Sequence, residues 1–565
     1  MCKDGKKITD NKMKADVLNS YFSSVFTEEN VQNVPTQRQT DPTSKLESIS
    51  ITKEDICKLL KKINSNKSPG PDGFHPQLLK ELAEEISEPL SNIFQKSLSE
   101  GTLPTDWKEA QITPLFKKGS KQDPGNYRPV SLTSVVCKIL ESVIRDKVIN
   151  HLMTNNLLTS CQHGFVHGRS CTTNLLKTHD DWSKFLDDGA KVDAVYLDFA
   201  KAFDSVPHQR LLVKVREMGI DGKVFSWIEQ FLKDRKQRVS VDGQLSEWST
   251  VKSGVPQGSV LGPVLFVIYI NDLPSVVDSC CIMFADDTKI YSSVNTRDQT
   301  EKLQNDINSL TEWSDKWQLR FNADKCKVLH LGKDNQKHVY KMKKHGSDEV
   351  VDLQETKLEK DLGIFTDNEL KFSTHVEKQV NKGNQLLGLI RRSFQFLDGD
   401  TMKTLFVAIV RPHLEFGNAA WAPIYARDKE LLEGVQRRAT KIVPGLKDLP
   451  YEDRLKSLRL PSLTYRRFRG DLIETYKFTH GVYKVSEQMF SMDSSDRTRG
   501  HSLKLQKKRC NTTQRQHFFN QRIIEQWNRL PAEIVEAETL NSFKAKIDKH
   551  FSANRYSLEE PPTRF

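Results

Sequence analysis

The most informative absence in this sequence is that of paired cysteines. Nine cysteines are scattered through 565 residues, and no two form a C-x-x-C pair. That spacing excludes the common zinc fingers and knuckles. An odd, dispersed set fits free thiols in a reducing compartment. The cluster "CQHGFVHGRSC", with Cys161, His163, His167 and Cys171, matches no familiar structural zinc site. No apolar run reaches the ~18 residues that cross a bilayer, so no membrane span is expected. The polar start MCKDGKKITD does not read as a secretory leader. No internal repeat is evident. Positive charge is in surplus: 85 Lys and Arg against 74 Asp and Glu give a net charge of +11. A surplus of that size suits an anionic partner, nucleic acid first and a membrane surface second, and equally a solubilising surface.

The length exceeds one hydrophobic core, so roughly two to four packed units are expected. Leu18, Tyr21, Phe22 and Phe26 fit one short amphipathic helix in an otherwise tether-like start, and the polar run 31–45 reads as disordered. Thr52 reads as an N-cap before Ile56, Leu59, Leu60 and Ile63. A single helix is predicted through Leu78, Leu82, Ile86, Leu90 and Phe94, stopped by Gly101. "VDAVYLDF" is β-branched and aromatic, a strand, and "CCIMFA" and "TKIYSSV" are strands of a hairpin. Val264–Ile270 reads as a buried helix, and Leu303, Ile307, Leu310, Trp313 and Trp317 mark another. Strands alternating with helices imply an α+β or split βαβ sheet. Beyond about residue 370 the pattern is nearly all helical.

The strand "AVYLD" ends in Asp198, and Asp286 and Asp287 sit at the hairpin tip. If the two strands are neighbours, three carboxylates meet, which is unfavourable unless cations neutralise them. Magnesium suits that role, being hard and oxygen-seeking. Two such ions about 3.5–4 Å apart activate a hydroxyl nucleophile and stabilise a leaving oxygen in phosphoryl transfer. Taken alone, Asp-Asp is first of all a turn signal.

The blocks around these acids decide between the readings. "YLDFAKAFDSV", "SGVPQGSVLGP" and "FADDT" follow one another in that order, flanked by "KSPGPDGF", "NYRPVSLTS", "QHGFVHGRS", "FNADKCKVLHLG" and "KDLGIFTDN". Together they resemble the reverse transcriptase family, specifically polymerases of non-LTR (LINE) retrotransposons of the jockey and CR1 kind. The resemblance runs from about Leu18 to "RIIEQWNRLPAEIV".

That resemblance implies roles by position. Asp198 and Asp286 would be ligands of two Mg²⁺ ions, with Mn²⁺ as a substitute. The Phe199 carbonyl would be a further metal contact, and Asp287 would have a weaker part. Phe203 would be the steric gate against a ribose 2′-hydroxyl, where an aromatic ring fills the space that hydroxyl needs. Gly254, Pro256, Gln257 and Gly258 would form the loop under the incoming nucleotide and template base. Lys325, with Lys327 as competitor, would protonate pyrophosphate. Arg128 and Arg169 would take triphosphate or template phosphate through their forked donors. Lys67, in the block with Gly70 and Asp72, would touch the template. Leu362 and Gly363 in "DLGI" would grip the primer end; the family often has tyrosine where Asp361 stands. In Gly434–Gly470, ten Lys and Arg stand against three acids. Arg437, Arg438, Arg466, Arg467 and Arg469, interleaved with Tyr465 and Phe468, read as a strip for a phosphate backbone with rings for stacking.

The resemblance further implies a right-hand polymerase with fingers, ferredoxin-like palm and helical thumb, followed by an all-helical C-terminal region. The expected divisions are an N-terminal tether (1–50), an extension of the fingers (51–97), fingers and palm (98–367), thumb (368–445) and a basic helical region (446–565). RNA template, DNA primer or target and dNTP are the implied partners, without a membrane. Related full-length elements carry an endonuclease, and none is seen ahead of Leu18. Location in a nuclear or cytoplasmic ribonucleoprotein is implied. The competing reading is a catalytically inactive, retrotransposon-derived nucleic-acid-binding protein. The intact set Asp198, Phe203, Gln257, Asp286 and Asp287 argues against such decay. A nucleotide cyclase with a similar palm needs the acids but neither Phe203 nor "VPQG".

Overall fold

The computed structural model describes residues 1–3, 6–36, 44–486, 488–493 and 500–559. Helix α1 (Asn11–Ser24) is capped by Asp10, whose carboxylate accepts from the Met13 N–H at 2.8 Å. Ala15, Leu18 and Phe22 fall on one stripe and are buried against Ala110, Ile112 and Val239. The amphipathic helix expected within this start is present, and it docks through its apolar stripe. Farther on, Val31–Asn33 form a 3₁₀ turn. Residues 37–43 of the expected disordered run lie outside the described residues. The predicted helix through Leu78 is two helices, Pro76–Glu81 and Ala83–Glu100, because Leu82 leaves helical geometry. Gly101 ends the second with φ +64°, as its position suggested.

Two sheets interleave along the chain. Strands β1 (Glu109–Phe116) and β2 (Tyr127–Leu132) pair antiparallel, with Pro114 directly opposite Pro129. Prolines demote a run as a strand signal, and neither strand was read from the sequence. Helix α2 (Cys171–Asp187) leads into β3 (Val192–Leu197) of the other sheet. β4 (Lys236–Val241) returns to lie parallel to β1. The buried helix α3 (Gly262–Tyr269) precedes a hairpin of β5 (Cys280–Phe284) and β6 (Asp287–Ser293). β7 (Lys327–Leu331) and β8 (Gln354–Thr356) complete the sheet in the order β8-β7-β3-β6-β5. β9 (Leu358–Asp361) and β10 (Ile364–Asp367) form a separate hairpin. Helices α4 (Ser373–Ser393), α5 (Ala426–Ile442) and α6 (Leu463–Thr479) follow.

β3 explains why the site sits where it does. It is the middle strand and is covered on both faces, so it reads as a nearly continuous apolar run. Val195 and Leu197 point into one core, shared with Leu265, Ile268 and Leu310. Val192 and Ala194 point into the other, shared with Leu176, Trp182 and Tyr291. The Trp182 and Tyr291 rings meet edge to face at 5.8 Å, a geometry that contributes ~0.5–1.5 kcal/mol beyond area burial. Two cores locking one strand hold its register, and with it the position of whatever residue follows its end.

Candidate active site

Asp198 is the first residue past β3. β6 pairs antiparallel with β3, with Thr288 opposite Leu197, so Asp287 emerges at the same sheet end as Asp198. β5 and β6 are joined by a two-residue turn, Ala285-Asp286, because Phe284 pairs with Asp287. Ala285 has φ +54°, a conformation usually left to glycine. The turn is held from outside: the Ala285 N–H donates to Gln162 Oε1 at 2.9 Å, and the same oxygen accepts from the Gly164 N–H at 2.7 Å. A Cβ on Gly164 would lie 2.4 Å from the Ala285 nitrogen, so this close approach requires glycine. Asn174 on α2 adds a bond to the Met283 carbonyl at 3.1 Å.

The acids are unequal in their surroundings. Burial raises the Asp286 carboxyl above the ordinary range, with Arg128 opposing and Asp198 adding to the rise. Burial, then Asp286 and Asp361, push Asp287 up to about 6. Asp198 is half exposed, and Lys325 Nζ stands 3.6 Å from its Oδ2. Lys327 instead pairs with Glu359 at 2.9 Å, so Lys325 is the lysine on the acids. The Asp198 main chain is fixed by the Asn322 N–H on its carbonyl at 2.7 Å, and Phe199 stacks on Phe321 at 4.4 Å. Among the described residues no three His, Cys, Asp or Glu side chains are grouped so that they could hold a metal ion by themselves. The three aspartates share a sheet end in an open arrangement. Hard oxygen donors in an open arrangement suit a cation that arrives with phosphate oxygens of a ligand. Asp198 and Asp286 are the residues that could hold it, with the Phe199 carbonyl alongside.

Beside the acids lies the loop 253–258. Gly254 has φ +88°, and a Cβ there would meet the Phe203 and Asp204 carbonyls at 2.7 Å, so the loop and the Phe203 turn are in van der Waals contact. Phe203 is half-buried and stacked on Phe266 of α3 at 4.4 Å. Pro256 is half-buried, and Gly258 is exposed. Gln257 donates from Nε2 to Asp204 Oδ1 at 2.9 Å, and its carbonyl accepts from the Ser131 N–H at 2.8 Å. Arg128 on β2 is exposed and acts on both Asp286 and Asp204; its side chain makes no hydrogen bond or ion pair among the described residues. Lys67 is exposed in a turn whose Gly70 packs on Thr133 and Ser134, at the end of β2.

The β9–β10 hairpin closes the other side. Leu362 and Gly363 form its tip, and Leu362 lines a cleft of about 190 Å³ with Asp198, Asp287, Lys325 and Asp361. Asp361 is buried and ion-paired with buried Lys289 of β6, which also donates to Asn174 at 3.0 Å. A tyrosine at 361 would leave that lysine without its carboxylate.

Several arginines are not where the sequence suggested. Arg169 is no phosphate ligand: its guanidinium donates to the carbonyls of Thr159 (2.8 Å), Gln162 (2.7 Å) and Lys484 (2.9 Å). It ties the Gln162 loop to the C-terminal region. The strip at 466–469 is an internal seam. Arg466 forks onto Glu415, Arg469 onto Asp548, and Arg467 is buried beside Thr464. Tyr465 and Phe468 are buried too, so neither ring can stack on a base. These residues fall on the inward side of α6, a placement that residue counts do not reveal. Arg437 pairs with Glu430 at 2.5 Å, and Arg438 donates to Asn384 at 3.0 Å. His163 bonds Thr173 at 2.7 Å and is pushed down to about 3 by burial, a packed core histidine. The eight cysteines with described side chains are free. Gln162, Asn174, Lys289 and Asp204 were missed as site residues. Gln162 stands inside "QHGFVHGRS", so the block was visible while the wrong side chain was chosen.

Comparison with known proteins finds a family match and several relatives. Residues 116–380 match the family described as Reverse transcriptase (RNA-dependent DNA polymerase). The chain is 28% identical over 342 residues to the RNA-directed DNA polymerase from mobile element jockey of Drosophila melanogaster, covering 58% of this chain and 36% of that protein. It is 27% identical over 415 residues to the probable RNA-directed DNA polymerase from transposon BS of the same fly, covering 70% of this chain and 45% of the relative. Against the one from transposon X-element identity is 24%, over 69% of this chain and 44% of the relative. The matches thus span less than half the length of each of these relatives.

Proposed function

Residues 116–380 belong to the reverse transcriptase family, and from that premise we propose that the chain is an RNA-directed DNA polymerase of a non-LTR retrotransposon, copying RNA into DNA from a primer 3′-hydroxyl. The observation that carries the reading is the meeting of Asp198, Asp286 and Asp287 at one sheet end, beside the Phe203 turn and the 253–258 loop. In this reading the β3–β5–β6–β7–β8 sheet is the palm. The β1–β2–β4 sheet belongs to the fingers, which α1 backs. Helices α4 and α5 are the thumb, and the region from 446 is a mainly helical support.

Asp198 and Asp286, with the Phe199 carbonyl, would hold two magnesium ions, or manganese in their place. When bound, such ions supply Lewis-acid charge at the attacking and leaving oxygens. The residues of the chain do the rest. Arg128 offers unpaired donors to the triphosphate. Phe203, fixed by its stack on Phe266, occupies the space of a 2′-hydroxyl. The primer 3′-oxygen forms a bond to the α-phosphorus as the bond to the bridging oxygen breaks and pyrophosphate departs. Lys325, exposed and close to Asp198, gives a proton to that leaving group. Leu362 and Gly363 approach the primer end from the cleft's far wall.

The test is primer extension on poly-rA/oligo-dT with dTTP and magnesium. Extension by wild type and its loss in Asp286→Ala are expected. No extension by wild type, or equal extension by the variant, would defeat the reading. RNA retardation in a gel without extension would favour the non-catalytic binding protein.

A further inference from the structure

Resting on the polymerase reading, we propose that Asp204 is a positioning residue that orients the Gln257 side-chain amide and so sets how strictly a mispaired nucleotide is refused. A glutamine amide has a donating end and an accepting end of nearly the same shape. Which end faces a substrate must be imposed by a neighbour. Gln257 donates from Nε2 to Asp204 Oδ1 at 2.9 Å. An ionised carboxylate can only accept, so it holds the NH₂ end and leaves the Gln257 oxygen turned away from it.

Both partners are anchored through their main chains. The Gln257 carbonyl takes the Ser131 N–H at 2.8 Å. The Asp204 carbonyl accepts from Ser253 Oγ at 2.8 Å, and Ser253 Oγ in turn accepts from the Thr27 N–H at 2.8 Å. Thr27 Oγ1 donates to the Ser205 carbonyl at 2.8 Å. The N-terminal segment thus straps the Phe203–Ser205 turn to the 253–258 loop. With the backbone fixed at both ends, rotation of the Gln257 amide is the freedom that remains, and Asp204 removes it. Phe22 and Phe26 line the small cavity behind the pair. A charged group is kept there although burial opposes it. Asparagine would fill the same space and accept either end of the amide.

The experiment uses the full chain in the extension assay, with steady-state kinetics for the correct dTTP and for mispaired dCTP on poly-rA. Asp204→Asn is expected to raise KM for dTTP and the relative efficiency for dCTP each by about tenfold, with kcat changed less than about threefold, as for loss of one charge-assisted hydrogen bond. In a Gln257→Ala background, Asp204→Asn should add nothing, because its effect runs through that side chain. Unchanged KM and misincorporation in Asp204→Asn, or a full effect of Asp204→Asn in the Gln257→Ala background, would overturn the assignment while leaving the polymerase reading intact. No extension by wild type overturns both. If Asp204→Asn does not fold, Asp204→Glu replaces it: it keeps the charge and moves it by one methylene, so KM should rise, and an unchanged value counts against the role.

Discussion

Asp204→Asn should make the protein more stable at alkaline pH, and the size of the gain follows from the site. Burial pushes the Asp204 carboxyl up to about 6, from 3.8, with the Gln257 hydrogen bond, Lys201 and Arg128 opposing the rise. A carboxyl raised on folding favours its neutral form in the native state. Its contribution is fully present below pH 3.8 and is lost as pH climbs through about 6. A rise of about two pH units at ~1.36 kcal/mol each corresponds to ~3 kcal/mol of stability lost by wild type between acid and neutral pH through this group. Asparagine carries no such charge. That rise is already net of the Gln257 hydrogen bond, so the expectation is that Asp204→Asn exceeds wild type by ~3 kcal/mol at pH 8 and converges with it near pH 4. Urea unfolding followed by tryptophan fluorescence at both pH values measures this, and taking the difference between the proteins cancels every other titrating group. A variant no more stable at pH 8, or a gap that does not change with pH, would refute the reasoning. The two Asp204→Asn predictions then oppose each other: greater stability with poorer selection of nucleotides, the pattern of a residue kept for function.

Four further outcomes are expected. Lys289→Met strands the buried Asp361 carboxylate and should cost ~3–5 kcal/mol in urea unfolding, whereas Lys289→Met with Asp361→Leu should recover most of it, since a hydrophobic pair replaces a buried ion pair at little loss. Phe203→Val should admit ribonucleotides, improving the rUTP to dTTP efficiency ratio by about 10-fold or more, a range usual for one group added to or removed from a pocket. Arg466→Ala breaks the fork onto Glu415 and should destabilise the protein by ~2–3 kcal/mol without altering the salt dependence of RNA binding. Arg391 and Arg392 on α4 are exposed, and neither side chain makes a hydrogen bond or ion pair among the described residues. Replacing either should lower the slope of log affinity against log salt by about one.

How much of this was legible in the sequence depends on the distance between partners. Asp198 could be placed because a two-sided buried strand announces itself as a short apolar run and the residue after it must emerge at the sheet end. Asp286 and Asp287 followed from the hairpin pattern, and Gly254 and Gln257 from a compact loop block. All of these rest on a few contiguous residues. The misplaced residues rest on pairings that contiguous reading cannot reach. Arg466 meets Glu415 and Arg469 meets Asp548 across different helices, and Arg169 reaches the Lys484 carbonyl from the far end of the chain. In the N-terminal segment the amphipathic helix with Leu18 and Phe22 was visible, whereas the strands it docks against, with Ala110, Ile112 and Val239, lie far along the chain and were not.

The arginines also show why a count of basic residues is a weak guide to a nucleic-acid surface. A guanidinium forked onto a carboxylate contributes nothing to the field that a phosphate feels, because the pair is neutral at the distance of a ligand. Arg466 and Arg469 belong to such pairs, and Arg437 pairs with Glu430. Among the described residues, those without a carboxylate partner include Arg128 near the acidic site, Lys67, Arg438 on α5, and Arg391 and Arg392 on α4. Arg128 stands next to the loop that holds Gln257 through the Ser131–Gln257 bond, so one strand, β2, supplies both a free cation for phosphate and the main-chain anchor of the residue that would face the base. On the polymerase reading proposed above, a single strand that positions charge and readout together would let the protein bind any nucleotide through its phosphates while judging its base from a fixed distance. The same strand predicts a coupled defect: Ser131→Pro, which deletes the N–H that anchors Gln257, should disturb dNTP selection and triphosphate affinity together, whereas Arg128→Ala should raise KM for all four dNTPs alike and leave misincorporation ratios unchanged. Kinetics with matched and mismatched dNTPs separate the two, and a base-dependent change in Arg128→Ala would show that charge and readout are not divided in this way.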